Sequence, residues 1–241
     1  MRPTLTILLL AFMLQACGPM RQMQKVQSQV PVLGSIGKHR SSLFEKGFQK
    51  MGEPELDRPI SVAIASVPLS GRMKSRYEKY REHLGMQPLA KTMDSTQMAN
   101  LAYYQLEISD VVSLVEQLNL DKNSNLKKYL QEDVELVLLS SMSIVVDQAL
   151  SQKLDMADKL FLKTGSDGAL FLQIAGGTQD GKPIKQSSLE IFDFERANFC
   201  WKMDNRGRIN IAQILMDGIT CPGSTKANPE KLNRTPDYLK L

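Results

Sequence analysis

Acidic side chains are numerous in this sequence, and two groups of them lie close together along the chain. They are Glu132-Asp133-Glu135 and Asp193-Glu195. Two carboxylates about 5 or 6.5–9.5 Å apart in one cleft can carry out glycoside hydrolysis. Spacing along a chain does not establish a cleft, and acids in such groups are usually solvated surface residues. The acids therefore support a carboxylate-using hydrolase only as an alternative.

Candidates for catalysis or metal binding by histidine are few, because the chain holds only His39 and His83. The sequence contains no H-E-x-x-H, C-x-x-C or G-x-S-x-G motif. His83 falls near the end of a predicted basic helix, where the helix macrodipole favours a cation. We therefore predict no catalytic residue and no metal ligand.

A glycine-rich stretch, Gly176-Gly177-Thr178-Gln179-Asp180-Gly181-Lys182, has the G-x₄-G-K spacing of a phosphate-binding loop. That loop needs a following Ser or Thr hydroxyl and a helix whose amides face the phosphates. Pro183 supplies no hydroxyl, and residues 185–194 are predicted to form a strand. The stretch predicts a hairpin loop, and we expect no nucleotide or other cofactor.

Residues 121–132 resemble the spacing of a calcium loop. Asp121, Asn123, Asn125 and Glu132 occupy its positions 1, 3, 5 and 12, but Leu126 stands at position 6, where a sharp turn requires glycine. The alternative is a helix–helix connection whose Asp and Asn side chains cap the next helix. We favour the connection.

The elements that would position these residues follow from hydrophobic periodicity. Alternating or continuously apolar runs predict strands at 60–67, 102–109, 134–146, 169–175, 185–194 and 199–203, the last two separated by a turn near 196–198. Helical spacing predicts helices at 72–84, 110–119, 126–131, 148–159 and 209–219. Together they predict one α+β domain, residues 58–221, with a mostly antiparallel sheet covered by helices.

The flanks of this domain are predicted to be irregular. Gly34, Gly37 and Gly52 interrupt residues 17–57, which end in a proline-containing stretch typical of a linker. We predict a flexible tether over 17–57. Pro229 and Pro236 lie in residues 222–241, which we predict to be a loose tail.

The helix predicted at 72–84 carries a narrow apolar stripe inside a basic surface. Met73, Tyr77, Tyr80 and Leu84 lie on one face, and the cations around them are Arg72, Lys74, Arg76, Lys79 and Arg81. The stripe predicts a surface helix that packs inward. A helix lying on a membrane surface is the alternative, for which the stripe is thin.

The first sixteen residues have the layout of an export signal. Arg2 precedes an apolar run, residues 5–14, that is too short to span the ~30 Å hydrocarbon core of a bilayer. The run ends in Leu14-Gln15-Ala16-Cys17. It predicts a cleaved signal peptide, residues 1–16.

These four residues resemble the lipobox of bacterial lipoprotein precursors, with Gln15 at its permissive position. The resemblance implies that Cys17 receives a diacylglycerol, that cleavage occurs just before it and that the new amino group is acylated. Two or three acyl chains anchor a protein stably. Gly18 is not the aspartate that retains such proteins in the inner membrane, so the resemblance implies the outer membrane.

Charge is balanced overall but unevenly placed. The net charge of +4 is too small to indicate a nucleic-acid partner. Residues 18–91 carry a net charge of +7 and residues 92–163 a net charge of −5. The basic part could contact anionic head groups or lipopolysaccharide phosphates. The alternative is an ordinary solvated surface.

Besides Cys17 the chain has two cysteines, Cys200 and Cys221. In an oxidising compartment an even number of cysteines predicts a disulfide, the alternative being two buried thiols. From the absent catalytic motifs and the long tether we predict a non-enzymatic, lipid-anchored envelope protein. It would bind the membrane through its acyl chains and a partner protein or glycan through its domain, or act in assembly.

Overall fold

Ten β-strands form one curled, mostly antiparallel sheet in the described part of the computed structural model, which comprises residues 31–41, 46–92, 101–175, 181–216 and 220–232. The strands are β1 (Ile36–Ser41), β2 (Lys46–Gly52), β3 (Ile60–Pro68), β4 (Ala102–Ile108), β5 (Leu136–Val145), β6 (Lys159–Thr164), β7 (Leu170–Ala175), β8 (Ile184–Lys185), β9 (Glu190–Met203) and β10 (Ile209–Leu215). The predicted α+β class is confirmed.

Five α-helices accompany the sheet in the same residues. They are α1 (Gly71–His83), α2 (Leu89–Thr92), α3 (Val111–Leu118), α4 (Ser124–Glu132) and α5 (Gln148–Asp155). Asp110 begins α3 as predicted, because its carboxylate accepts a hydrogen bond from the Ser113 amide at 3.0 Å. Asp147 caps α5 in the same way through the Leu150 amide.

The strands follow the order β10-β9-β5-β4-β3-β6-β7-β8, and β1 joins β5 beside β2. β5 lies at the centre, with β9 on one edge and β4 and β1 on the other. All but the last of its residues are buried, as predicted for a strand covered on both faces. Its serines fit because they are small, and their polar atoms find partners.

The core lies inside the curl of the sheet. Its fully buried side chains come from strands distant in sequence and from α3, and they include Ile36, Ile60, Leu106, Ile108, Leu114, Leu138, Met142 and Leu162. A second, smaller cluster lies between α1 and the outer face of the sheet, around Leu69, Tyr77, Leu89 and Tyr103. Of the apolar stripe predicted at 72–84, Tyr77 is buried and Met73 and Tyr80 are partly buried, so this part packs inward, whereas Leu84 follows the helix and is 54% exposed.

The predicted tether at 17–57 is wrong for residues 32–57. Leu33 and Ile36 are fully buried in the core, and Ile36 pairs with Leu138 of β5. The amide of Gly34 also donates to the carbonyl of Leu139 at 2.9 Å. The glycines that suggested flexibility serve packing instead: a Cβ on Gly34, whose φ is +85°, would lie 2.5 Å from a Leu162 methyl.

The C-terminal strands also differ from the prediction. Residues 209–215 form a strand, where a helix was predicted, and β9 runs unbroken through the expected turn near residue 197. Residues 222–232 of the predicted loose tail pack on β9, with the amide of Trp201 donating to the Lys226 carbonyl at 2.8 Å. Residues 1–30 and 233–241 lie outside the described residues.

Candidate functional site

A groove of about 630 Å³ opens where the described domain begins, beside Val32. Val32, Leu170 and Gln186 line it with buried side chains. Its rim is polar and exposed, and consists of Ser166, Asp167, Lys185 and Ser187. An apolar floor under a polar rim is the usual composition of a ligand-binding cleft of this volume.

The floor of the groove is held by the side chain of Gln186. Its Oε1 accepts from the Leu33 amide at 2.7 Å, and its Nε2 donates to the Leu33 carbonyl at 3.3 Å. The same nitrogen lies 3.5 Å from the carbonyl of Leu170. One buried amide thereby joins the start of the domain to the β7–β8 end of the sheet.

One wall of the groove is built around the carboxylate of Glu53. It accepts from the amide of Leu170 at 2.5 Å and from the ammonium of Lys50 at 2.6 Å. The facing turn is closed by the amide of Gly165, which donates to the carbonyl of Ala169 at 2.8 Å. Asp167 accepts from the Ala169 amide at 3.1 Å. Both acids of the groove therefore hold backbone in place.

A second polar cluster lies under α1, where the helix crosses the start of β9. The rings of Tyr77 and Tyr103 meet Phe192 edge-on, with centroids 5.2 and 5.5 Å away. The hydroxyl of Tyr77 donates to Glu190 at 3.0 Å, and Arg76 forms an ion pair with Asp193. These contacts fasten α1 to the outer face of the sheet.

Burial is the main cause of the shifted pKa values of the tyrosines in this cluster. It raises the pKa of Tyr77 to about 12, and the neighbouring Glu190 charge acts in the same direction. It also raises the pKa of Tyr80 and of Tyr103. Their hydroxyls therefore stay protonated at neutral pH. In this state they can donate hydrogen bonds.

Arg81 is the buried cation of this cluster. It lies over the ring of Tyr77, 5.7 Å from the centroid, and its guanidinium donates to the carbonyl of Gln87 at 2.8 and 3.2 Å. The loop after α1 is thereby folded back on the helix. Arg81 therefore has a structural role, and the exposed surface of α1 is formed by its other side chains.

The acids singled out by sequence lie in different places. Asp133 pairs with Lys38 at 2.6 Å, and Glu135 lies 3.2 Å from the same ammonium. Lys38 lowers the pKa of the Asp133 carboxyl, and the two acids raise the pKa of Lys38. Asp193 is buried against α1, whereas Glu195 is exposed. The two groups do not form one site.

The calcium-like stretch begins in the connection between α3 and α4, as favoured from the sequence, and continues through α4. The predicted capping is wrong, because Asn123 stands at the N-cap of α4 without a side-chain cap hydrogen bond. Asn123 is buried, and its Oδ1 accepts from the amide of Glu55 at 2.9 Å. Its Nδ2 donates to the carbonyls of Glu55 and Gln117, each at 2.9 Å. The Asn123 side chain is thereby committed to backbone groups of residues 55 and 117.

The predicted disulfide between Cys200 and Cys221 is present, with the two Cα atoms 5.6 Å apart. It fixes residues 220–232 against β9, where they cover Trp201, which is 2% exposed. A second cavity of about 280 Å³ adjoins this contact and is lined by Leu130, Val134, Leu136, Asn198, Phe199, Trp201, Leu215, Ala227 and Asn228.

The remaining sequence candidates are placed as follows. His39 lies half-buried in β1 with Nδ1 3.3 Å from the Gly47 carbonyl, and His83 is the exposed last residue of α1. The predicted lipidation residue, Cys17, lies outside the described residues, as do residues 176–180 of the phosphate-loop-like stretch.

The groove was not predicted from the sequence. The one available signal was the turn sequence Gly165-Ser166-Asp167-Gly168, which is typical of a tight hairpin but not of binding. Within the described ranges, His, Cys, Asp and Glu side chains form no group of three that could hold a metal ion.

Among the helices that the structure describes, none has the length and apolar character needed to cross a bilayer. Comparison of the chain with protein-family models, with curated proteins and with solved structures finds no match.

Proposed function

We propose that this chain is a lipoprotein of the bacterial cell envelope, anchored to the outer membrane through acyl chains on Cys17, whose domain binds a partner without catalysing a reaction. The lipobox-like Leu14-Gln15-Ala16-Cys17 supports the anchor. The bridge between Cys200 and Cys221 suits an exported protein, because disulfides persist in oxidising compartments.

The observation that carries the binding role is the groove beside Val32. Its floor is prearranged by the hydrogen bonds of Gln186, and its rim presents hydroxyl, carboxylate and ammonium groups to solvent. A rigid site loses little entropy when a ligand binds. The groove therefore suits a short polar segment that contributes its own backbone hydrogen bonds.

A peptide segment of another envelope protein fits the groove better than a glycan. Sugar-binding grooves present aromatic faces, and Phe171 is the sole aromatic residue among those that line this one. β8 follows the rim and pairs with β7 through Phe171 and Leu172. An extended peptide could lie along this short strand.

A carboxylate-using hydrolase is the second candidate, because Glu53 and Asp167 line the same groove. Both carboxylates are already engaged with backbone amides, and Glu53 also pairs with Lys50. A general acid needs an exchangeable proton that faces the substrate. These contacts favour binding over catalysis.

The anchor is tested by fatty-acid labelling in cells. Cys17→Ser should abolish labelling and leave the precursor uncleaved, while Gly18→Asp should retain labelling and move the protein to the inner membrane. Continued labelling of Cys17→Ser would refute the anchor.

The groove is tested by site-specific photo-crosslinking in intact envelopes. A crosslinker at Ser187, on the rim, should capture a protein partner, whereas one at the exposed Met156, the residue after α5, should not. Ala169→Trp, which fills the groove, should abolish capture from Ser187. Capture that is equal at both positions, or unaffected by Ala169→Trp, would overturn the role of the groove.

A further inference from the structure

The second cavity, of about 280 Å³, lies where the segment fixed by the disulfide meets the sheet. Its floor consists of buried apolar side chains, among them Leu130, Phe199 and Trp201. Its rim is open to solvent, because Val134 is 58% exposed and Ala227 is exposed as well. Apolar atoms that enter such a cavity leave water and gain dispersion contacts with the floor. The cavity therefore favours an apolar occupant.

The segment fixed by the disulfide leads the chain past this cavity. The amide and carbonyl of Trp201 exchange hydrogen bonds with the backbone of Lys226 at 2.8 and 2.9 Å, and the next residues, Ala227 and Asn228, line the cavity. A short 3₁₀ helix, Pro229–Leu232, follows and packs against β9. At a rise of about 2.0 Å per residue, this helix advances the chain by roughly 8 Å. The last described residue therefore lies close to the cavity.

The residues after Leu232 carry a group of apolar side chains. Tyr238, Leu239 and Leu241 lie within four successive positions, and only Lys240 among them is charged. Residues 233–241 lie outside the described residues. By covalent geometry nine residues span at most about 30 Å, so the connection is long enough for these side chains to return to the cavity.

The cavity suits residues of the same chain for two reasons. At about 30 Å³ for each water-sized group, 280 Å³ holds roughly nine such groups, which is close to the carbon atoms of two leucine side chains. A short connection to the cavity also supplies an effective concentration of about millimolar, which a free molecule does not have. Weak apolar contacts therefore suffice for an occupant that belongs to the chain itself.

We propose that this cavity docks the chain's own residues 238–241, with Leu239 and Leu241 in contact with its apolar floor. The docked residues close the cavity, whereas the groove beside Val32 stays open to a partner, because the two sites share no lining residue. The contact depends neither on the anchor at Cys17 nor on the groove. The inference therefore goes beyond the proposed function.

The test uses the purified mature chain, residues 17–241, with Cys17→Ser and the disulfide intact. A photo-crosslinker at Val134, on the rim, should form a crosslink to residues 233–241 of the same molecule, identified by peptide mass spectrometry. Its yield should not depend on protein concentration, because the contact lies within one chain. A crosslinker at Met156 should not form it, because β5, about 30 Å long, runs from the cavity towards α5.

Leu239→Ser with Leu241→Ser should lose the crosslink, because docking weakens about tenfold for each leucine that is no longer buried. Arg234→Ser with Lys240→Ser, which replaces two cations of the same segment, is the matched control and should retain the crosslink. A crosslink between two molecules, with a yield that rises with concentration, would mean that a second copy occupies the cavity and would overturn the inference. Absence of the crosslink from the rim position, or equal yields in the two double variants, would overturn it as well.

Discussion

Gln186 pairs with the backbone of Leu33 as a neighbouring strand would, accepting from its amide at 2.7 Å and donating to its carbonyl at 3.3 Å. The two residues lie 153 positions apart, and both are buried. No strand is paired with Leu33 at this point in the described sheet. The side chain thus satisfies backbone groups that would otherwise be buried without partners.

Replacing Gln186 with Leu should lower the free energy of unfolding by about 2–4 kcal/mol, because the amide and carbonyl of Leu33 lose their partners in the core. Urea denaturation measures this. Ser187→Ala, on the exposed rim, should change stability by less than about 0.5 kcal/mol. If both variants unfold alike, Gln186 does not fasten the start of the domain.

The side chain of Asn123 likewise pairs with the amide and the carbonyl of Glu55. Asn123→Ala should therefore destabilise the protein by about 2–4 kcal/mol. The exposed Asn125, at another position of the calcium-like spacing, is the control and should tolerate alanine. Thermal unfolding with and without calcium separates the two interpretations. A calcium-dependent rise in Tm that Asn123→Ala removes would support an ion site instead.

The double variant Cys200→Ala with Cys221→Ala should lose about 3 kcal/mol of stability, because the bridge closes a loop of about twenty residues in the unfolded chain. Trp201, the chain's single tryptophan, reports on the segment that the bridge fixes. Its fluorescence should shift to longer wavelength and become more accessible to acrylamide. Free thiols in the unreduced, unfolded parent protein would contradict the pairing.

Secondary structure was predictable where hydrophobic periodicity stayed regular. β3, β4, β5 and the helix after Asp110 match their predictions. β10 was mistaken for a helix because a bulge between Ile211 and Gln213 shifts the alternation. Its buried residues then fall at Ile211, Ile214 and Leu215, which is helical spacing.

Irregular pairing likewise concealed the continuity of β9. A bulge on β5, where Ser140 is the extra residue between Leu139 and Ser141, faces Arg196 and Glu195 of β9, which are both exposed. Two adjacent exposed charges are typical of a turn, and a turn was predicted there. A bulge is set by the partner strand, so the sequence of β9 alone does not indicate it.

The extent of the domain was misjudged for a different reason. The segment around residues 53–57 has no strand partner and is held by side chains: Asn123 binds Glu55, Gln117 accepts from the Asp57 amide at 2.7 Å, and Thr164 accepts from the Leu56 amide at 2.8 Å. Each partner lies 60 or more positions away. Local composition therefore resembled a linker, and the groove beside it stayed hidden.

Because Tyr77 lies in the cluster under α1, we expect the free energy of unfolding to depend on pH in the alkaline range. Its pKa is raised to about 12 in the folded state from 10.0, so the folded state binds the phenol proton more tightly than the unfolded chain does. The stabilising effect of that proton is complete below pH 10 and is lost as the pH rises toward 12.

Comparison with Tyr77→Phe isolates this effect. Below pH 10 the parent protein should be more stable by about 1 kcal/mol, the contribution of the hydrogen bond to Glu190. Between pH 10 and 11.5 the advantage should shrink and reverse, because only the parent can ionise at this position when it unfolds. Urea denaturation across pH 8–11.5 measures the difference. A gap that stays constant over this range would mean that α1 does not bury the Tyr77 hydroxyl.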